Sequence, residues 1–363
     1  MRNPLFTSKH NFTSEHNNTI SNNTIIDNFG RKITNLRISV TQRCNLNCFY
    51  CHHEGEHNPR KEMNLDEIAI LSRMFSNLGI TKLKLTGGEP LVRTDLEEII
   101  RACRPYFKEI SLTTNGHELS SRLENLKRSG LDRLNISLDS LNPKRYKKIT
   151  GSNGVKSVEK VIEGIKIANK FELFPIKVNM VVMKGINDDE IFDMAVFCAT
   201  NNSILQIIEL ETDRENEKNR RDESNFYNIY NKYHVDLRPI EYELSTLAYF
   251  VVTRRFQNRK KYVIPIKRIL PRCKRKFEKY NIENIEKNID KLNAEIEVVR
   301  SMHNTLFCAK CSRVRITSDG YLKPCLLSQN GHLDLLSLIN KSDEKKAMET
   351  IREAIMNREP YWR

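Results

Sequence analysis

Two sets of three cysteines dominate the chemistry this sequence can do. Cys44, Cys48 and Cys51 have the spacing C-x3-C-x2-C, and Cys308, Cys311 and Cys325 have the spacing C-x2-C-x13-C. Thiolates are soft ligands. Three on one loop can hold three irons of a four-iron cluster and leave the fourth open to a small molecule. A structural zinc site instead fills four positions. His52, His53 or His57 could supply a fourth ligand to the first set, and His303 and His332 flank the second. Zinc is therefore the competing reading, and the ligand count favours iron–sulfur. Cys103, Cys198 and Cys273 stand alone, and the first two fall in helical stretches where small core residues are expected. Nine cysteines, an odd number, without a secretion signal argue against a disulfide framework.

Such ligands need a scaffold. Residues 1–26 are rich in Asn, Thr and Ser without apolar period and read as a disordered tail; the N-x-Thr triplets at Asn11, Asn17 and Asn22 carry no weight there. From Leu36 onward, short apolar strands are expected at 36–41, 82–86, 109–113, 133–138, 176–183 and 204–209. Helical patterns fall between them. One is capped by Asn64 with Glu67 in capping-box position and stops at Gly79; others begin near Asp95, Leu119, Ser157 and Asp188. This alternation predicts an α/β fold, a partial (βα)6 TIM-like barrel over 27–211, followed by a smaller C-terminal region, 212–363. A doubly wound open sheet satisfies the same pattern. In both, chemistry belongs at the C-terminal ends of the strands. The Asn-, Lys- and Glu-rich run 281–302 reads as an exposed connection.

With 363 residues and 39% hydrophobic content the chain can bury a large core, and no apolar run is long enough to span a bilayer. A cytoplasmic protein without membrane partners is expected. The formal net charge of +14 favours anions, whether nucleic acid, an acidic membrane surface or a phosphorylated small molecule, and does not choose among them. Scattered lysines are more simply a solvated surface.

The first triplet, with Tyr50 just before its last cysteine, resembles the signature of the radical S-adenosylmethionine superfamily. That resemblance implies a [4Fe–4S] cluster on Cys44, Cys48 and Cys51. Its open iron binds the methionyl group of S-adenosylmethionine, which one electron cleaves to a 5′-deoxyadenosyl radical. Tyr50 matches the adenine contact. Thr86-Gly87-Gly88-Glu89-Pro90 resembles the superfamily's GGEP segment, which makes Gly88 a cofactor contact, and Ser137 and Glu211 match two further cofactor positions.

The second triplet and the arginines inside it resemble the GTP 3′,8-cyclase family, whose reaction begins molybdenum cofactor biosynthesis. The likeness covers residues 27 to about 335. It implies a second [4Fe–4S] cluster on Cys308, Cys311 and Cys325 that meets the guanine of GTP. It also implies GTP contacts at Arg37, Lys84, Thr113, Lys177, Arg313, Val314 and Arg315, with Arg37, Arg313 and Arg315 serving catalysis. Arg313 and Arg315, two apart on an extended segment, point the same way. The product would be (8S)-3′,8-cyclo-7,8-dihydroguanosine 5′-triphosphate, passed to a cyclic pyranopterin monophosphate synthase. A one-electron donor of ferredoxin or flavodoxin type is implied, nucleic acid is not, and a homodimer is compatible.

Three departures stand out. The family's terminal Gly-Gly is replaced by Arg358-Glu-Pro-Tyr-Trp-Arg363, its asparagine after the C-x2-C by Ser312, and its methionine cofactor contact by Glu211. Two other readings remain at this level. One is a radical enzyme with an auxiliary cluster acting on a peptide or another small molecule, which has no need of Arg313 and Arg315. The other is a zinc-binding nucleic-acid module.

Overall fold

The computed structural model describes residues 24–56, 61–152, 155–211, 226–274, 290–328, 331–341 and 343–362. Most of the expected N-terminal tail, with Asn11, Asn17 and Asn22 of its N-x-Thr triplets, and His57 lie outside the described residues.

Six strands follow the expected series: β1 (Asn35–Ser39), β2 (Lys82–Thr86), β3 (Glu109–Thr114), β4 (Arg133–Ser137), β5 (Ile176–Val182) and β6 (Ser203–Glu209). Each pairs in parallel with the next. The helices between them are α1 (Leu65–Asn77), α2 (Leu96–Cys103), α3 (Leu119–Arg128), α4 (Pro143–Thr150), α5 (Val155–Lys170) and α6 (Ile191–Thr200). Local chemistry sets their ends. Asn64 and Glu67 form the reciprocal capping box of α1. Past its C-terminus Gly79 takes φ +85°, a left-handed conformation that glycine adopts without steric cost.

The remaining strands are β7 (Phe250–Thr253), β8 (Lys260–Pro265), β9 (Asn293–Val299), β10 (Arg313–Ile316), β11 (Tyr321–Lys323) and β12 (Leu333–Asp334). They do not build a separate sheet. β9 adds in parallel beside β6 and carries β8 and β7 antiparallel to it. β10 adds in parallel beside β1 and carries β11 and β12. The result is one 12-stranded sheet in the order β12-β11-β10-β1-β2-β3-β4-β5-β6-β9-β8-β7. Both edges of the six-strand series, which would otherwise expose unpaired N–H and C=O groups, are thus covered by chain from beyond residue 211.

Strands in parallel sheets are commonly apolar on both faces. Here they alternate. Leu36, Ile38, Leu83, Leu85, Ile110, Leu112, Leu134 and Ile136 are buried in the main core, each contributing about 1.5–3 kcal/mol. The intervening residues Arg37, Lys84, Ser111, Thr113 and Asn135 face the other way, and the sheet wraps a polar interior.

Two expectations are corrected. The tail does not extend through residue 26, because Ile25 is buried and its carbonyl accepts from the Ile33 N–H at 3.0 Å. The run 281–302 is not simply an exposed connection either. Within it, β9 places Ile296 and Val298 in the core and Glu297 in the interior, only 1% exposed. No described helix is long and apolar enough to cross a membrane.

Candidate active site

The first cysteine loop leaves the C-terminal end of β1. Its turn is closed by the Cys51 N–H donating to the Cys48 carbonyl at 3.0 Å, and α4 pins it through Asn47 N–H to Thr150 O at 2.9 Å. All three thiols are free. Burial pushes each of them up, and at Cys48 the neighbouring Asp139, Cys51 and Cys44 push further. Three thiols that resist ionising beside one another need a polycation among them to become thiolates, and an iron cluster supplies that charge. Among the described residues no three His, Cys, Asp or Glu side chains converge on a single ion-sized point. A four-iron cluster, being larger, takes its thiolates at separate corners.

Gly87 and Gly88 lie directly against this loop. The Gly88 N–H donates to Thr41 O at 2.7 Å and the Glu89 N–H to Arg43 O at 2.8 Å. A Cβ on Gly88 would sit 2.4 Å from Arg43 O and 2.5 Å from Gln42 O, where only backbone could give way. Gly88→Ala is therefore expected to displace the loop itself. Iron bound after anaerobic reconstitution should fall to less than half that of the unchanged chain; full iron content would contradict this packing. Glu89, buried, ties the same segment to the end of β3 by accepting from Thr114 Oγ1 and Asn115 N, both at 2.6 Å. Burial pushes its carboxyl up to about 7.

Tyr50, half-buried with Phe49, packs against Ile149 and Met183, and its hydroxyl donates to Asp139 Oδ2 at 2.6 Å. Asp139 also accepts from the Val181 N–H at 2.8 Å, and burial raises its carboxyl to about 6. Ser137 closes β4 on the interior face, in register with Asn179 of β5. Asn179 Oδ1, Thr113 Oγ1, His52 Nδ1 and Arg37 Nε are buried polar atoms with no protein partner. Buried polar groups of this kind are normally satisfied, so each is available to a polar ligand.

Strand register assembles the expected cations. Arg315, Arg37 and Lys84 are direct neighbours across β10, β1 and β2, and Arg313 is one pleat below Arg315. Lys84 donates to Asn135 Oδ1 at 2.9 Å. Burial, with Arg37, Arg313, Lys177 and Arg133 nearby, pushes the Lys84 ammonium well below its ordinary value. Val314 does not join this row: strand alternation turns its side chain into the apolar core, where it is 1% exposed. Lys177 does face the interior, but its ammonium is bound to Glu297 Oε2 at 2.6 Å. Burial lowers it to about 8 against the pull of Glu297. Glu211 is half-buried, accepts from Ser301 Oγ, and lies close enough to Arg37, His52 and Arg259 to favour their charged forms.

Several residues of the site were not anticipated. Glu54 accepts from both Arg37 and Arg315, at 3.0 and 2.8 Å. Burial opposes its ionisation, but the two arginines hold the carboxyl well below the usual range. Glu297 gathers Lys177, Arg259 at 3.1 Å, Arg254 at 3.3 Å and the Gln206 amide at 2.8 Å. Burial would raise it, and the surrounding cations bring it down to about 2. The alternation Ala294-Glu-Ile-Glu297-Val-Val was the available signal for this strand. For Glu54 there was none beyond its nearness to Cys51.

In the second triplet, Cys308 and Cys311 lie where a short helix, α7 (Thr305–Ala309), runs into β10, and Cys325 follows β11. The Cys311 N–H donates to Cys308 O at 3.1 Å, and the Gln257 amide points at Cys311 Sγ at 3.6 Å. Burial pushes the Cys308 and Cys325 thiols up. It does so at Cys311 too, but Arg358 and Arg313 outweigh it and the thiol falls to about 7. The chain end reaches this triplet. Arg358 donates to the Cys311 and Arg313 carbonyls, and the Trp362 N–H points at Cys308 Sγ at 3.5 Å. Trp362 packs with Met302 and Cys308, so residues 358–362 cover one side of the triplet.

A parallel strand series with a C-x3-C-x2-C loop on its first strand and a glycine pair against that loop defines a radical S-adenosylmethionine enzyme. Residues 38–198 match the family model described as the Radical SAM superfamily, and residues 235–363 match that described as Molybdenum Cofactor Synthesis C. The chain is 47% identical over 338 residues to a probable GTP 3′,8-cyclase of Pyrococcus horikoshii, covering 93% of this chain and 98% of the relative. It is 46% identical over 339 residues to one of Thermococcus kodakarensis, covering 93% and 99%. The chain belongs to the GTP 3′,8-cyclase family. That membership implies one [4Fe–4S] cluster and S-adenosylmethionine, for which the first triplet and its glycines fit. Among solved structures, Streptococcus suis SuiB bound to its precursor peptide SuiA shares the fold, with a TM-score of 0.56 at 17% identity over 91% of this chain and 66% of that one.

Proposed function

We propose that this chain converts GTP to (8S)-3′,8-cyclo-7,8-dihydroguanosine 5′-triphosphate, the first step of molybdenum cofactor biosynthesis. The observation that carries the reading is the row Arg313, Arg315, Arg37 and Lys84, aligned by register on strands adjoining both cysteine sets. A triphosphate is the substrate chemistry such a row suits, since each guanidinium can give paired donors to phosphate oxygens.

Cys44, Cys48 and Cys51 would hold the cluster, which with S-adenosylmethionine would supply the chemistry that removes a hydrogen atom. The protein's own part is placement. Tyr50, Gly88 and Ser137 line the cofactor side, and Glu211 stands where a methionine would be in relatives of the bacterial type. Cys308, Cys311 and Cys325 are the ligands we assign to a second [4Fe–4S] cluster against which guanine lies. Thr113 and Asn179 present polar atoms toward the ribose, while the arginines offset the substrate's charge in a site largely shielded from water. Lys177 acts with Glu297 as part of the wall. A ferredoxin- or flavodoxin-type donor supplies single electrons, and a cyclic pyranopterin monophosphate synthase consumes the product.

Arg37→Ala, Arg313→Ala and Arg315→Ala should each lower kcat/KM for GTP about 100-fold, ~2.7 kcal/mol of transition-state stabilisation, with iron content retained. Turnover of GTP at the unchanged rate in all three would refute the assignment.

A further inference from the structure

Arg37, Arg313, Arg315 and Lys84 stand half-buried side by side on neighbouring strands, where like charges repel. Something must hold two of these arginines in fixed directions before a ligand arrives. The loop that follows the first cysteine triplet places one carboxylate between them.

We infer that Glu54 is a positioning residue for substrate binding: it brackets Arg37 and Arg315 so that their remaining N–H donors face the ligand. The inference rests on reading those two arginines as GTP contacts. Arg37 Nη1 lies 3.0 Å from Glu54 Oε1, Arg315 Nη1 lies 2.8 Å from Oε2, and the Thr86 hydroxyl donates to Oε1 at 3.1 Å. One carboxylate thus joins three adjacent strands, β10, β1 and β2. It uses a single nitrogen of each guanidinium, which has five donors in all. Arg37 Nε stays buried without a partner. A polyanion can therefore bind beside Glu54 without displacing it.

The backbone is built to keep the carboxylate there. His53 and Glu54 both adopt positive φ, 47° and 53°, a conformation that non-glycine residues hold only when their surroundings enforce it. Two residues on, Glu56 fastens the loop past the end of β10, accepting from Ser318 Oγ at 2.6 Å and Ser318 N at 3.0 Å. Removing the Glu54 charge has two opposed effects. It makes the pocket more positive, which attracts an anion, and it frees two half-buried arginines to splay apart. Orientation dominates, because Arg37 and Arg315 are direct register partners and nothing else among their described contacts joins them.

The test is equilibrium binding of GTP to the full-length, reconstituted chain under anaerobic conditions, with KM and kcat measured on the same samples. Glu54→Gln and Glu54→Ala should weaken GTP binding about tenfold, the loss of one oriented charge-assisted contact, and raise KM by more than they lower kcat. Glu54→Asp should recover part of the affinity, which a merely unfolded variant could not. If Arg37→Ala and Arg315→Ala lose affinity but Glu54→Gln binds GTP as tightly as the unchanged chain or more so, the carboxylate is a competitor and the inference fails alone. If the two arginine variants also bind normally, the substrate-site reading fails and takes this role with it.

Discussion

Alanine at any one of Cys44, Cys48 or Cys51 is expected to reduce formation of 5′-deoxyadenosine to the background of a protein-free control. The effect should be that large because these positions have no substitute. His53 sits at positive φ with its backbone N–H turned to Cys51 Sγ at 3.4 Å. The loop is fixed at both sides by backbone contacts to Thr150 and Ile149 and to the glycine pair, so another ligand cannot slide into place. Iron content, absorbance and deoxyadenosine should fall together. Deoxyadenosine formation at an unchanged rate in any single variant would remove that cysteine from the cluster.

The second large effect concerns the other triplet. A C308S/C311S/C325S variant should cleave S-adenosylmethionine within about twofold of the unchanged chain, the scatter expected for sites that act independently, and lose GTP turnover completely. The separation follows from placement. The first loop hangs from β1 and packs on α4 and the glycine pair, whereas the second triplet is held by α7, β10, Gln257 and the terminal residues Arg358 and Trp362. Iron per chain should halve. Normal GTP turnover in the triple variant would refute a substrate role for a second cluster.

Much of this architecture was legible because its determinants are local. The capping box at Asn64 and Glu67, the stop at Gly79 and the six apolar strands are encoded within a few residues, and their ends fall within one or two positions of those observed. The row of cations was legible for a related reason, since each residue sits at a fixed phase of its own strand. Phase also turns the Val314 side chain, between Arg313 and Arg315, to the opposite face. What could not be read was long-range pairing of charges. Glu54 meets Arg315 across 261 residues and Glu297 meets Lys177 across 120. Nothing in local composition marks these carboxylates as buried rather than solvated. The strand β9 was hidden by its Asn-, Lys- and Glu-rich surroundings, although its alternation of Glu295 and Glu297 with Ile296 and Val298 follows the two-residue period of a strand. That Trp362 folds back on Cys308 required the three-dimensional arrangement.

The most direct measurement is an anaerobic incubation of reconstituted protein with S-adenosylmethionine, dithionite and GTP deuterated at the ribose 3′ position, followed by mass spectrometry. The account predicts 5′-deoxyadenosine carrying one deuterium, together with an equal amount of a cyclised GTP product that has lost it. Unlabelled deoxyadenosine with GTP left intact, from protein shown to hold both clusters, would contradict it.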